Sequence, residues 1–394
     1  MPTHVDFYTS IKPYRILARI FSIQSVTRNK DGLYVRSIVQ FATAALHVAI
    51  FSICYYFGFQ DNEREIDVSD VYVTSFSVYN ILVIVRFAII FVLSLKNASI
   101  EIKLHQHVDR IDALLRSLGK TEELNEGNKA LRTGTIKTLI LGIFTQFITE
   151  GFNYVVAYKR VTPLILGMSF LPSYVGTLNK CYFYIWCSVL RNRIQILNGS
   201  FRSIKKRSKL KQYSFSVYKF EKELSQLMDL HQELVSMSRM MNDMFEIEIV
   251  WHFTIIFNLI FANGYYTMFI MTTRKKDLMV YPFTLVENSV YVYFEFFILV
   301  YTSTKLCAEA AAARDVLIGI RMDIFDETSH RLVITSIYEL NENKLEITAC
   351  RLFNINYSTV FAVINLYFPS IRLEFHNTTS SIFRCSPIFP ITYL

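Results

Sequence analysis

Apolar residues in this chain gather in long runs separated by polar segments, and run length decides what they form. Six runs reach the roughly 20 residues needed to cross a bilayer as a helix: 37–59, 71–95, 134–158, 164–190, 249–271 and 283–307. Transmembrane strands would be about ten residues long and would alternate in polarity, so the runs predict helices. A seventh run, 353–368, spans only about 24 Å at 1.5 Å per residue, short of a hydrocarbon core of about 30 Å. Below the membrane, Phe220, Leu224, Leu227, Met228, Leu234 and Met241 recur at helical spacing among Glu, Lys and Asp. This stripe predicts that the fifth spanning helix continues far beyond the bilayer. Similar stripes cover 99–118 (Ile100, Leu104, Val108, Ile111, Leu115) and 318–345.

Composition supports the pattern. Of 394 residues, 52% are apolar or aromatic and 19% charged, with 33 Phe, 24 Tyr and 12 Gly. That balance excludes disorder, a collagen-like chain and a disulfide scaffold. Lys and Arg number 6, 7, 11 and 5 in residues 1–36, 96–133, 191–248 and 308–352, against 1, 2 and 3 in the short connections 60–70, 159–163 and 272–282. The basic side faces the cytoplasm, so the N-terminus is expected inside and, with seven spans, the C-terminus outside. The start of the chain lacks an apolar core followed by a small-residue cleavage site, so the first span is expected to act as the targeting signal.

The expected organisation is a cytoplasmic N-terminus (1–36) and six transmembrane helices (37–307) with long cytoplasmic connections at 96–133 and 191–248. A cytoplasmic helical anchor (308–352), a short seventh transmembrane helix (353–368) and a C-terminal tail (369–394) complete the chain. The fold class is thus an all-α polytopic membrane protein with cytoplasmic helical extensions. Asn97 and Asn198 fit the glycosylation sequon but fall on the cytoplasmic side; Asn377 falls outside and is the glycosylation candidate.

Candidate chemistry is sparse. There is no Walker loop, zinc-protease helix, nucleophile elbow or kinase set, so no enzyme is expected. The six cysteines have no metal-ligand spacing and are expected as free thiols, with no metal or cofactor. The basic run Arg202, Lys205, Lys206, Arg207, Lys209 and Lys211 lies just past the fourth span. Topogenic charge or membrane lipid therefore explains it better than nucleic acid.

Ionisable groups inside spans are costly and normally face a cavity or a partner; here they are Arg86, Glu150, Lys180, Glu287 and Glu295. The outer halves of four spans carry interleaved polar and aromatic residues: Tyr79 and Asn80; Glu150, Asn153 and Tyr154; Asn263 and Tyr266; Glu287, Asn288 and Tyr291. Converging there, they would suit a small organic ligand held by stacking and hydrogen bonds. An aromatic belt at the water interface is the plainer alternative for each residue taken singly.

The last third carries a resemblance. Thr302-Ser303-Thr304-Lys305-Leu306-Cys307-Ala308-Glu309-Ala310 and Glu346-Ile347-Thr348-Ala349-Cys350-Arg351-Leu352-Phe353-Asn354-Ile355-Asn356-Tyr357-Ser358 resemble the passage from sixth to seventh span in insect gustatory receptors. Leu230-His231-Gln232-Glu233-Leu234 and Met241-Asn242-Asp243-Met244-Phe245 are similar to the stretch before the fifth. The resemblance implies a tastant-gated, non-selective cation channel, a homo- or hetero-tetramer with other gustatory receptor subunits around the seventh helices. It places Asn356, Tyr357, Val360 and Ile364 on the pore side. An odorant receptor, a non-conducting isoform or auxiliary subunit, a G-protein-coupled receptor and a solute carrier are the alternatives. The expected orientation and missing receptor triplets count against the coupled receptor, and the absence of internal repeats against the carrier. After Ile364 the sequence leaves the family pattern, with Pro369 and Arg372 interrupting the apolar run. The last thirty residues read as an alternative or unspliced exon boundary.

Overall fold

The computed structural model describes residues 6–24, 26–29, 31–60, 70–157, 163–209, 217–273, 281–320, 327–350 and 353–359. Side chains are described for these except 38, 40, 54–60, 70–80, 83, 149–157, 163–170, 209, 217, 261–273, 281–293 and 353. Each of the six long apolar runs lies on a helix. The first two fill α3 (Ile38–Gln60) and α4 (Asp70–Lys96) almost end to end. The other four are parts of longer helices, α6 (Thr121–Ala157), α7 (Pro163–Lys209), α8 (Val217–Thr273) and α9 (Tyr281–Ile318). At 57 residues, α8 is about 85 Å long at 1.5 Å per residue, more than twice the hydrocarbon core. The stripe that predicted its extension is buried throughout, from Phe220 to Met241. Among the described side chains, Phe294–Ile318 of α9 is long and apolar enough to span a membrane, and Phe41–Ile53 of α3 is a shorter apolar segment.

The polar ends of these long helices assemble with shorter ones. Helix α5 (Ala98–Ser117) buries Leu104, Val108, Ile111 and Leu115 along one face. It stops where Gly119 takes a φ of +74° and Lys120 N–H bonds back to the Leu115 carbonyl at 2.9 Å. A left-handed residue there suits glycine because it has no Cβ to clash. The stripe expected over 318–345 divides: α9 ends at Ile318, and α10 covers Glu327–Glu342. Buried charge also holds this region together. Arg193 of α7 donates from Nε and Nη2 to the two carboxylate oxygens of Asp112, each at 3.1 Å, and from Nη2 to Asn128 Oδ1 at 2.8 Å.

At the N-terminus, α1 (Phe7–Ser10) and α2 (Lys12–Ile20) form an amphipathic pair that, with Ile11 at their junction, inserts Phe7, Ile11 and Tyr14 into the core. Pro13 falls in the first turn of α2, where its missing N–H has no intrahelical partner to lose. Two small antiparallel hairpins add to the helical class. One joins β1 (Val26–Arg28) to β2 (Tyr34–Arg36), pairing Val26 with Arg36; the other joins β3 (Thr348–Ala349) to β4 (Phe353–Asn354). The second takes Phe353 and Asn354 out of the segment expected as the seventh helix. Helical backbone begins at Tyr357 instead. Cys181, Cys187, Cys307 and Cys350 are free thiols.

Candidate functional site

A charge inside the bilayer costs several kcal/mol unless it is paired, and the structure pairs Arg86, Lys180 and Glu295, the three of the five candidate charges whose side chains it describes. Arg86 of α4 donates from Nε to Glu248 Oε1 of α8 at 2.7 Å, and from Nη2 to the same oxygen. Its guanidinium also lies against α7 where Gly176 leaves room: a Cβ there would stand 3.1 Å from Arg86 Nη1. Lys180 of α7 donates to Glu295 of α9. Two ion pairs, each a basic side chain with a glutamate, thus cross-link α4 to α8 and α7 to α9. Close above them, Thr177 of α7 donates to Gln146 of α6 at 2.8 Å.

Between the pairs lies a cleft lined by Asn179, Lys180, Phe183 and Tyr184 of α7, Phe245, Glu248, Ile249 and His252 of α8, and Leu299 of α9. Glu248 and His252 are one turn apart on the same face of α8 and are 5% and 4% exposed. Neither ring nitrogen of His252, nor Glu248 Oε2, has a hydrogen-bond partner among the described residues. The sequence reading missed both residues. The signal was present in the need of Arg86 for a carboxylate and in a Glu-His spacing of four on one helix.

The outer-half candidates divide among four helices: Tyr79 and Asn80 on α4, Glu150, Asn153 and Tyr154 on α6, Asn263 and Tyr266 on α8, and Glu287, Asn288 and Tyr291 on α9. Their side chains lie outside the described residues, as do Val360, Ile364 and Asn377 altogether. Of the pore-side candidates, Asn356 and Tyr357 are described. Asn356 Oδ1 accepts from Thr359 N–H at 3.3 Å while Asn356 N–H donates to Thr359 Oγ1 at 3.4 Å, a reciprocal cap on the turn that begins there.

The residues that carried the resemblance have structural work below the membrane. Glu233 pairs with His107 at 2.7 Å and Arg110 at 3.1 Å, tying α8 to α5. Asn242 Nδ2 donates to the Glu346 carbonyl at 2.6 Å beside β3. Glu309 accepts from Gln195 at 3.0 Å, and its carbonyl accepts from Asn198 at 2.7 Å. Asn198 and Asn97 are both buried, and Asn97 donates to the Met244 carbonyl at 3.0 Å, so these two sequon asparagines are structural donors. Farther along α5, His105 sits among Phe7, Tyr34 and Trp186. Burial, with a smaller contribution from Arg15 and Arg28, lowers its pKa to about 3; burial lowers that of His231 to about 4.

Long helices that continue past their apolar runs, internally paired spanning charges and a packed polar end define a polytopic helical membrane protein. The sequence pattern of the family described as 7tm Chemosensory receptor matches residues 11–367. The chain belongs to that family of membrane chemoreceptors. No curated protein matches it in sequence. Its structure is similar to that of the insect olfactory receptor OR5 from Machilis hrabei, with a TM-score of 0.64 at 13% identity over 92% of this chain and 96% of that one. The same receptor in complex with eugenol is similar at a TM-score of 0.66 and 12% identity, over 93% of this chain and 97% of that one.

Proposed function

We propose that the chain is a gustatory receptor subunit: a tastant-gated, non-selective cation channel of the plasma membrane of a chemosensory neuron, assembled as a homo- or hetero-tetramer. The observation that carries this reading is the family match across residues 11–367, taken with the order of the motifs at 302–310 and 346–358. The small-molecule complex of OR5 with eugenol supports a small organic ligand here, with the polar and aromatic residues of the outer halves of α4, α6, α8 and α9 as its site. An odorant receptor is the nearest alternative, because the solved relatives are olfactory.

Ligand in that site opens the pore by binding the open state more tightly than the closed one. Expression in oocytes, alone and with other gustatory receptor subunits, tests this across sugar, bitter and odorant panels. A current evoked by tastants is expected, and Glu150→Gln or Glu287→Gln shifts its dose–response curve. A response confined to odorants would favour the alternative. The tail after Ile364 has its own test: transcript sequencing that finds this ending in a single abundant message would remove the exon-boundary reading.

A further inference from the structure

The inner cleft between α7, α8 and α9 is separate from the outer residues proposed to bind tastant. On α8, His252 and Asn263 are eleven residues apart in sequence, about 16 Å along a helix. The cavity volume of the cleft is about 20 Å³, and the surrounding space of about 300 Å³ includes open solvent. A single water needs roughly 10–15 Å³ by this measure. Polar groups buried without a partner are rare because each forfeits its hydration. Three atoms on adjacent turns of α8 without a partner among the described residues, Glu248 Oε2 and the two ring nitrogens of His252, therefore specify what belongs between them. The carboxylate oxygen can only accept; the neutral imidazole donates from one nitrogen and accepts at the other. The ion pairs Arg86–Glu248 and Lys180–Glu295 balance in charge, so a neutral ligand suffices. The remaining wall is Asn179, Phe183, Tyr184, Phe245, Ile249 and Leu299, and apart from the Asn179 amide and the Tyr184 hydroxyl it suits a short apolar body.

We propose that this cleft is a hydroxyl-binding site in which one O–H group donates to Glu248 Oε2 and accepts from the imidazole N–H of His252. Water supplies that hydroxyl from one side; a short-chain alcohol or phenol partitioning into the membrane supplies it from another and lays its apolar part on Phe183, Phe245 and Leu299.

Receptor reconstituted in lipid nanodiscs tests the site by binding alone, independently of what gates the channel. Radiolytic hydroxyl-radical labelling reads water: Phe245 and His252 are expected to be labelled faster than the equally buried Phe253. Photolabelling with a diazirine-bearing hexanol reads the alcohol. Its adducts are expected within 179–184 and 245–252 and are competed by unlabelled hexanol. His252→Phe is expected to lower either signal about tenfold, the worth of one buried hydrogen bond. Ile249→Trp, which keeps His252 but fills the opening, should abolish the alcohol adduct and serves if His252→Phe does not elute as a folded particle. Labelling in one arm supports the site and identifies its ligand as water or alcohol. Absence of both signals, or signals unchanged in the variants, overturns it.

Discussion

Glu248 supplies the carboxylate that Arg86 meets on α8. Both side chains are largely shielded from solvent, so removing one partner exposes the other to an uncompensated desolvation cost of about 3–5 kcal/mol. Glu248→Ala should therefore lower the thermal midpoint of the detergent-solubilised receptor markedly, read by the loss of its size-exclusion peak on heating. The exchange Arg86→Glu with Glu248→Arg should restore part of that loss; an exchange no better than either single change would show that the pair contributes little. A second consequence comes from His105 and His231. Their folded pKa values, about 3 and about 4, lie below the ordinary 6.5, so the unfolded chain binds more protons in this range. Their contribution to stability is complete above pH 6.5 and is lost as pH falls toward the folded values, at up to about 1.4 kcal/mol per pH unit for each. Replacing His105 by Phe should flatten the fall in unfolding free energy measured between pH 7 and pH 5; an unchanged slope would contradict the assignment.

Among the elements, the turn from Asn356 to Thr359, where helical backbone begins, is the place where a small change should have a local readout. Removing a helix cap costs about 1 kcal/mol, so Asn356→Ala should speed hydrogen exchange at the amide of Thr359, whose N–H Asn356 accepts. Asn356→Asp, which retains an acceptor, should not. The helices were legible because apolar runs and heptad-like stripes are strong signals: Phe220 to Met241 predicted the extension of α8, and Leu104 to Leu115 predicted α5. The breaks were less so. Ile318 and the apolar positions that follow continue a helical period, yet Gly319 and Ile320 lie outside α9, and Glu327 opens a separate helix, α10. The strand pair at Thr348 and Phe353 was invisible because two residues carry no periodicity, and pairing across a turn competes with helix start. Around the inner cleft, Arg86, Lys180 and Glu295 were recognisable as groups that needed partners. Glu248 was hidden by its position at the edge of a span, and His252 by its apolar neighbours.

At the scale of the whole molecule, two charge patterns operate at different depths. The surplus of Lys and Arg in residues 1–36, 96–133, 191–248 and 308–352 sets the expected orientation, while paired charges within the bundle keep α4, α7, α8 and α9 in fixed contact. That orientation places Asn377 outside. A mobility shift on removing N-linked sugar, lost in Asn377→Gln, is the expected outcome, and an epitope tag at the N-terminus should be accessible only in permeabilised cells. On the proposed function, ligand opens a cation pathway formed by this family member itself. Recording from excised outside-out patches, in solutions free of nucleotide, tests it most directly. A tastant-evoked current is expected that reverses at the same voltage with Na⁺ or K⁺ as the permeant ion and shifts when both are replaced by a large organic cation. A response that requires GTP, or silence in every subunit combination with surface expression confirmed, would contradict it.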